Sequence, residues 1–389
     1  MKITNLSLVA IAAVGMMSVA SADVDVNVGG QGVVYYQTMD SWGDADLFDK
    51  AANSRANAGL QLNLNADLGN DFGFGYQETF LGSLGLENNL VGATMQTAKV
   101  NTLNSHSMTK LYLTKKIDNT TLKLGRQELP KSLSPFAFTE GWNVFKNTFD
   151  AAVAINTDIP DTTLVGAYVS QSNGALVGAP GLVDLGEFNK IGAKGAYMLT
   201  AANKSVQNVP MTLSYYALPS TDLSVLWADV QANKLGPVNV GLQGGMVMNG
   251  ATNGNDTTGM GIKVAGKAGP ANLTLAYTTV DDGDVPIANV GTGVKTPLYT
   301  QMILNQGAIK SDNDTVMLKA AMPAGPGKAI AQYAMTTDNS NTGNDYNELD
   351  LIYKFKALGT TMLAAYVMQD DDAHSDANNV IRFWTRYNF

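Results

Sequence analysis

Side chains able to carry out catalysis are scarce in this sequence. It has no Cys and only two His, His106 and His374, so thiolate metal sites, disulfides and most His-based triads lack material. No Ser, His and acid form a convincing constellation. The glycines of Gly259-Met260-Gly261 lack the strand, Gly-rich turn and helix in succession that a phosphate cradle needs. Two acidic clusters, Asp281-Asp282-Gly283-Asp284 and Asp370-Asp371-Asp372, offer the oxygens a hard cation wants, but without EF-hand spacing. Both read first as solvated loop charge; a calcium ion at Asp281, Asp282 and Asp284 is the one metal expectation, and no other cofactor is expected. The chain therefore does not read as an enzyme. With 34 acidic against 25 basic residues and a net charge of -9, it is a poor ligand for nucleic acid and suits cations better than anions.

The informative chemistry is a pattern rather than a cluster. From Arg55 to Leu68, Ala56, Ala58, Leu60, Leu62, Leu64, Ala66 and Leu68 alternate with Arg55, Asn57, Gly59, Gln61, Asn63, Asn65 and Asp67. Side chains of a strand point to opposite faces in turn, so one face here is oily and the other wet. A sandwich strand, at ~5 to 6 residues, is too short for this run, whereas a tilted strand crossing a bilayer needs ~9 to 11. The alternation recurs along the chain, with short turns such as Gly69-Asn70, Asp118-Asn119 and Gly269-Pro270 taking turns with longer connections. Reading every such segment predicts roughly eighteen strands, with sixteen as the alternative, in an all-β, transmembrane, antiparallel up-and-down β-barrel with short periplasmic turns and long extracellular loops. The brief connection Ala217 to Asp222 falls on the long-loop side by parity although it is short.

If the apolar parity faces lipid, the opposite parity supplies a basic ladder to the inner wall: Lys110, Lys123, Lys190, Lys194, Lys263, Lys267, Lys319, Arg382 and Arg386. The loop spanning 126–143 is the expected pore constriction, with Arg126, Glu128, Lys131, Glu140 and, at its far end, Asp150 setting charge and diameter.

Both ends of the chain agree with this architecture. Residues 1–22 have one basic residue, Lys2, an apolar stretch from Leu6 to Ala20 and the small-x-small pattern Ala20-Ser21-Ala22, which together read as a cleaved signal peptide for Sec-dependent export; loss of Lys2 would take the net charge from -9 to -10. Residues 23–389 then form a single barrel domain. The last strand places Ile381, Phe383, Tyr387 and Phe389 on one face and Arg382, Arg386 and Asn388 on the other. Phe383, Tyr387 and the terminal Phe389 resemble the signal read by the barrel assembly machinery.

The segment Asn119-Thr120-Thr121-Leu122-Lys123-Leu124-Gly125-Arg126-Gln127-Glu128-Leu129, followed by Asn147-Thr148-Phe149-Asp150-Ala151-Ala152, resembles the major outer membrane porin family of Campylobacter and its relatives. The likeness is best across Thr109 to Val169 and in the last strand. That family is similar in architecture to the substrate-specific porins of pseudomonads. The resemblance implies an eighteen-stranded barrel, often a homotrimer, in the outer membrane of a Gram-negative bacterium, with loop three narrowing a cation-preferring channel for ions and small hydrophilic solutes. A surface-exposed barrel serving as an adhesin or structural protein, without open conductance, is the alternative. Small polar and glycine residues on the inner parity, as at Gln61, Asn63, Gln243 and Gly245, favour a water-filled pore over a side-chain-filled one.

Overall fold

A computed structural model describes residues 25–49, 53–83, 85–86, 90–95, 105–141, 143–174, 187–340 and 343–389. The expected signal peptide, 1–22, lies outside the described residues. In chain order the strands are β1 (Asp25–Met39), β2 (Arg55–Gly69), β3 (Phe72–Gly82), β4 (Ser105–Ile117), β5 (Thr120–Gln127), β6 (Phe149–Asn156), β7 (Thr162–Ser172), β8 (Asn189–Lys190), β9 (Ala196–Asn203), β10 (Met211–Leu218), β11 (Leu223–Leu235), β12 (Val238–Asn249), β13 (Thr257–Ala268), β14 (Ala271–Val280), β15 (Asn313–Ala324), β16 (Gly327–Asp338), β17 (Tyr346–Ala357), β18 (Thr360–Asp371) and β19 (Asn378–Asn388).

Each strand pairs antiparallel with its sequence neighbours, and β1 pairs with both β2 and β19, so the sheet closes on itself and leaves no free edge. The two-residue β8 touches only the end of β7, which otherwise pairs with β9. The wall is therefore an eighteen-stranded barrel, the larger of the two counts expected. The short connections collect at one rim and the long ones at the other. Leu218 pairs with Leu223, so the brief connection between β10 and β11 does belong to the long-loop rim. At the two-residue turn between β2 and β3, Asn70 and Asp71 take left-handed conformations (φ 51 and 62), which short polar side chains tolerate and which match the twist of such a hairpin. No helix among the described residues is long and apolar enough to cross a membrane.

The alternation resolves into an outer and an inner face. Leu124, Leu199, Leu275 and Leu318 are each more than half exposed, an arrangement that water would penalise and hydrocarbon would not. Leu64 shares this outer parity but is only 3% exposed, because Val28 and Tyr76 flank it in register on the adjoining strands. Inward-facing polar side chains satisfy one another across the strands. Gln61 Nε2 donates to Gln77 Oε1 (3.2 Å) and Thr79 Oγ1 (3.0 Å), and Gln77 Nε2 donates to Asn63 (2.6 Å).

The lumen face is not polar throughout. Phe149, Ala151 and Val153, an apolar parity that would face lipid by the general rule, point inward on β6 and pack with Leu129 and Phe136. The segment between β5 and β6 has folded into the barrel and brought an apolar core with it.

Candidate functional site

Two long connections enter the lumen and meet. The first, loop 3 (128–148), crosses the barrel and is fixed at both flanks by aromatic anchors. Phe145 packs with Val33, Tyr35 and Leu81, and its ring lies against Gly59 so closely that a Cβ there would sit 2.4 Å from it. At the other flank Phe136 meets Trp227 edge-on (5.4 Å between ring centres) and Tyr216 (5.8 Å), whose hydroxyl accepts from the Phe136 N–H. Loop 3 thus spans from β1–β3 to β10–β11, which a loop lying on the rim cannot do.

The second is the connection 281–312, here loop 7. Its Val290 N–H donates to Phe136 O (2.8 Å), and Asn289 exchanges hydrogen bonds with both the N–H and the carbonyl of Phe138. Glu140 Oε1 accepts from Asn289 Nδ2 (2.8 Å), from the Thr292 hydroxyl and from Lys295 N–H (3.1 Å). Lys131 Nζ donates to Thr296 O (2.8 Å). Loop 7 is also pinned to the wall: Tyr299 donates to Asp229 on β11 (2.5 Å), Ile303 N–H to Asp350 (3.2 Å) and Leu304 N–H to Glu348 (2.8 Å), the last two acceptors on β17. The interlocked loops make a partition across the lumen. Loop 3 is the expected constriction; loop 7 carries no such signal in the sequence, because its apolar and hydroxyl run Val294 to Leu304 follows an acidic start that reads as solvated loop.

The predicted constriction residues separate. Glu128 is inward and lies between Lys110 (2.5 Å) and Lys146 (3.1 Å); burial works to raise its pKa, but the two ammonium groups outweigh it and hold the carboxyl below its usual range. The contact joins a wall lysine to a carboxylate and a lysine of loop 3. Lys131 also faces the lumen. Glu140, expected to line the channel, is instead buried (4% exposed) as the clasp between the loops. Arg126 and Asp150 do not face the lumen at all. They share the outward parity of Leu122, Leu124 and Ala152, pair at 2.8 Å on the outer surface, and are capped by the Phe188 ring 3.4 Å from the guanidinium. The expected 126–143 therefore starts too early, because Arg126 and Gln127 still belong to β5.

Most of the basic ladder is where parity placed it. Lys110, Lys123, Lys263, Lys267, Lys319, Arg382 and Arg386 face inward. Lys123 lies over the Tyr112 ring (3.8 Å) and Lys263 over Tyr299 (4.1 Å). Arg382 donates twice to Gln37, and Arg386 bonds Gln31 and the Asn143 carbonyl of loop 3. Lys190 and Lys194 are corrections: both are exposed beyond the wall, Lys190 on β8 and Lys194 in the segment that follows it. Lys116, Lys328, Lys354 and Lys356 also face inward by register and were overlooked, although the same parity argument reaches them. Phe383, Tyr387 and Phe389 lie on the outer face as expected, with Tyr387 and Phe389 stacked and about half exposed.

Beside the partition lies a cavity of about 620 Å³. Lys131, Trp227, Asp229, Gln243, Lys263 and Tyr299 are among its walls. Gln243 is 7% exposed, and its Nε2 has no hydrogen-bond partner among the described residues. Deep in loop 7, Lys295 Nζ donates to Met302 O, Ile303 O and Gln306 Oε1, and burial pushes its pKa down to about 8 against the opposing pull of Glu140. Asp281 and Asp284 use carboxylate oxygens on the backbone N–H groups of Thr258 and Asn255, and no three His, Cys, Asp or Glu among the described residues gather as a metal site would require.

A closed barrel with a lumen narrowed by inward loops describes a pore wall, and the family model for Gram-negative porins matches residues 7–378 of the chain. The chain belongs to the Gram-negative porin family. No curated protein matches this porin in sequence. Among solved structures it is similar to OccK8 (OprE) of Pseudomonas aeruginosa, at 13% identity and a TM-score of 0.75, over 94% of this chain and 98% of that one. It is likewise similar to OpdK of the same organism solved with vanillate (12%, TM-score 0.75, 94% and 98%) and to OccD3 (OpdP) (12%, 0.72, 94% and 91%). At these identities the likeness concerns the fold, which in the porin and in these neighbours is the same barrel.

Proposed function

We propose that this porin, exported by the Sec route and inserted into the outer membrane by the barrel assembly machinery, passes ions and small hydrophilic solutes by passive diffusion, with a modest preference for cations. The observation that carries the reading is the partition: loops 3 and 7 cross a polar-walled lumen and leave a side cavity of about 620 Å³ instead of filling it. A barrel without an opening would have no use for inward lysines held over aromatic rings. The net charge of -9 and the carboxylates of the long loops support a cation preference, and the inward lysines keep it modest. OpdK was solved with vanillate, an aromatic carboxylate, and the cavity has matching chemistry in Lys131, Lys263, the free amide of Gln243 and the Trp227 and Tyr299 rings.

A homotrimer fits the outer surface. Strands β5, β6, β9 and β10 have 8 residues each, short of the ~9 to 11 that a tilted crossing requires, and Glu78, His106, Arg126 and Asp150 face outward on this part of the wall and its neighbours. An Arg facing hydrocarbon costs up to ~2–4 kcal/mol at mid-membrane, and a carboxylate costs less. A neighbouring copy covering this side would remove that cost.

The test is reversal potential in planar bilayers under a salt gradient, with purified, heat-modifiable protein. A stable conductance whose reversal potential lies on the cation side is expected; folded protein that never conducts would refute the reading.

A further inference from the structure

We infer that the pore rectifies, passing more current when its long-loop side is positive than when it is negative. The inference rests on the porin reading above and goes beyond it in assigning a direction to the conductance. It comes from how fixed charge is distributed along the barrel axis. At the long-loop rim, Asp40, Asp44, Asp46 and Asp49 stand between β1 and β2, and Asp281 and Asp282 open loop 7. Lys190 and Lys194 stand among these loops and reduce their charge without reversing it.

The opposite rim carries the other sign. Lys116, Lys123, Lys267, Lys328, Lys354 and Lys356 face the lumen within a few residues of the short turns. Lys328 and Lys354 are direct cross-strand partners, a placement of like charges that a sheet tolerates only where water screens them. Asp25 and Asp67, paired with each other, and Asp71, Asp118, Asp158 and Asp161 in or beside the short turns offset part of this girdle, and Lys204 and Lys234 at the same rim help to keep its balance basic among the described residues.

A channel with an acidic mouth at one end and a basic one at the other holds cations at the first and anions at the second. When the long-loop side is positive, the field drives cations in through the acidic mouth and anions in through the basic mouth, so each mouth is fed by the ion it concentrates and the interior fills with carriers. With the voltage reversed, each mouth must be entered by the ion it repels, and the interior is depleted. The partition between the two zones keeps their ion atmospheres apart. Screening sets the scale: in 0.1 M salt the Debye length is ~10 Å and a current ratio of about two at opposite voltages is expected, whereas at 1 M it is ~3 Å and the ratio falls close to one.

The experiment is single-channel recording in 0.1 M and 1 M KCl on the full barrel, comparing the wild type with the K328Q/K354Q/K356Q variant. Each protein is checked for heat-modifiable migration beforehand. Lowering the pH to about 3.5 on one side at a time identifies the side on which acid removes the larger negative charge. The expected result is rectification at 0.1 M with the stated polarity, reduced by acid on the loop side and reduced in the variant. A wild type that conducts with equal current at both polarities in 0.1 M salt overturns this inference and leaves the porin reading intact, as does rectification of unchanged size in the folded variant. Folded protein with no conductance removes the porin reading and this inference together.

Discussion

Replacing Glu140 by Ala tests whether the two loops act as one partition. In the wild type a single buried carboxylate oxygen receives the Asn289 amide, the Thr292 hydroxyl and the Lys295 N–H. Hydrogen bonds to charged groups contribute ~1.5–3 kcal/mol each, and because three donors share one acceptor the loss, about 3–5 kcal/mol, falls below the sum of roughly 4.5–9 kcal/mol. That is enough to loosen 292–295 against loop 3, while Asn289, Val290 and Lys131 keep their bonds to Phe138, Phe136 and Thr296. The rest of loop 7 stays seated, since Tyr299, Ile303 and Leu304 hold to Asp229, Asp350 and Glu348 independently of Glu140. The barrel wall loses nothing, so heat-modifiable migration should match the wild type. The assay is single-channel recording: Glu140→Ala should conduct more and flicker on the open level, with Glu140→Gln, which keeps an acceptor of similar reach, in between. If folded Glu140→Ala protein shows wild-type conductance and wild-type noise, the partition is not what narrows this pore.

Three further outcomes follow from the same geometry. Gly59→Val places a side chain where the Phe145 ring lies, so loop 3 should lose its anchor on β2, with a raised conductance and a more protease-sensitive 143–148 segment; a variant that conducts and resists protease as the wild type does would show that Phe145 is not the anchor. Lys295, with its pKa down to about 8 against the ordinary 10.4 or so of a free lysine, binds fewer protons in the folded loop than in the detached one between those pH values, so attachment should strengthen as pH rises through that window and the burial penalty should be felt in full below it. Hydrogen exchange of 289–306 between pH 7.5 and 10, corrected for intrinsic rates, reads this, and the trend should vanish in Lys295→Met. In the proposed homotrimer, Arg126→Glu sets two acids side by side on the outer wall at Asp150 and should shift native mass from three copies towards one; a folded variant with the native mass of the wild type would remove that face from the interface.

How much of this could be read from the amino acids alone depended on how local the governing physics was. The wall was legible because lipid imposes one rule on every strand, and Leu60, Leu122, Leu242 and Leu318 all obey it. The turns were legible because Asn70, Asp71 and Asp118 carry the left-handed conformations that two-residue connections need. Arg126 carries its own signal: it continues the outward series Leu122, Leu124, so parity sets it on the outer face despite its closeness to the loop. Asp150 carries no such signal. The alternation Phe149, Ala151, Val153 is apolar because loop 3 packs on it from inside, so the inner face of β6 has the composition of an outer face and sequence periodicity cannot tell them apart. Glu140 and loop 7 were beyond reach in another sense, since their partners lie some 150 residues apart in the chain.

That difference in reach has a functional consequence. The wall is held by continuous backbone ladders closed through β1 and β19, in which every strand is restrained on both sides, and in a bilayer an unpaired ladder group would cost several kcal/mol. The partition is held by side chains such as Glu140, Asn289, Tyr299 and Lys131, each bond contributing a kcal/mol or so and each exchangeable for water in the lumen. Substitutions at these positions can reshape the opening without endangering insertion or closure of the barrel. A porin built this way can keep its fold at 10–14% identity to its structural neighbours, with more freedom for change in the loops than in the wall. The same reasoning locates selectivity: it should follow exchange of 128–148 and 281–312 between barrels, and exchange of the strands should leave it largely behind.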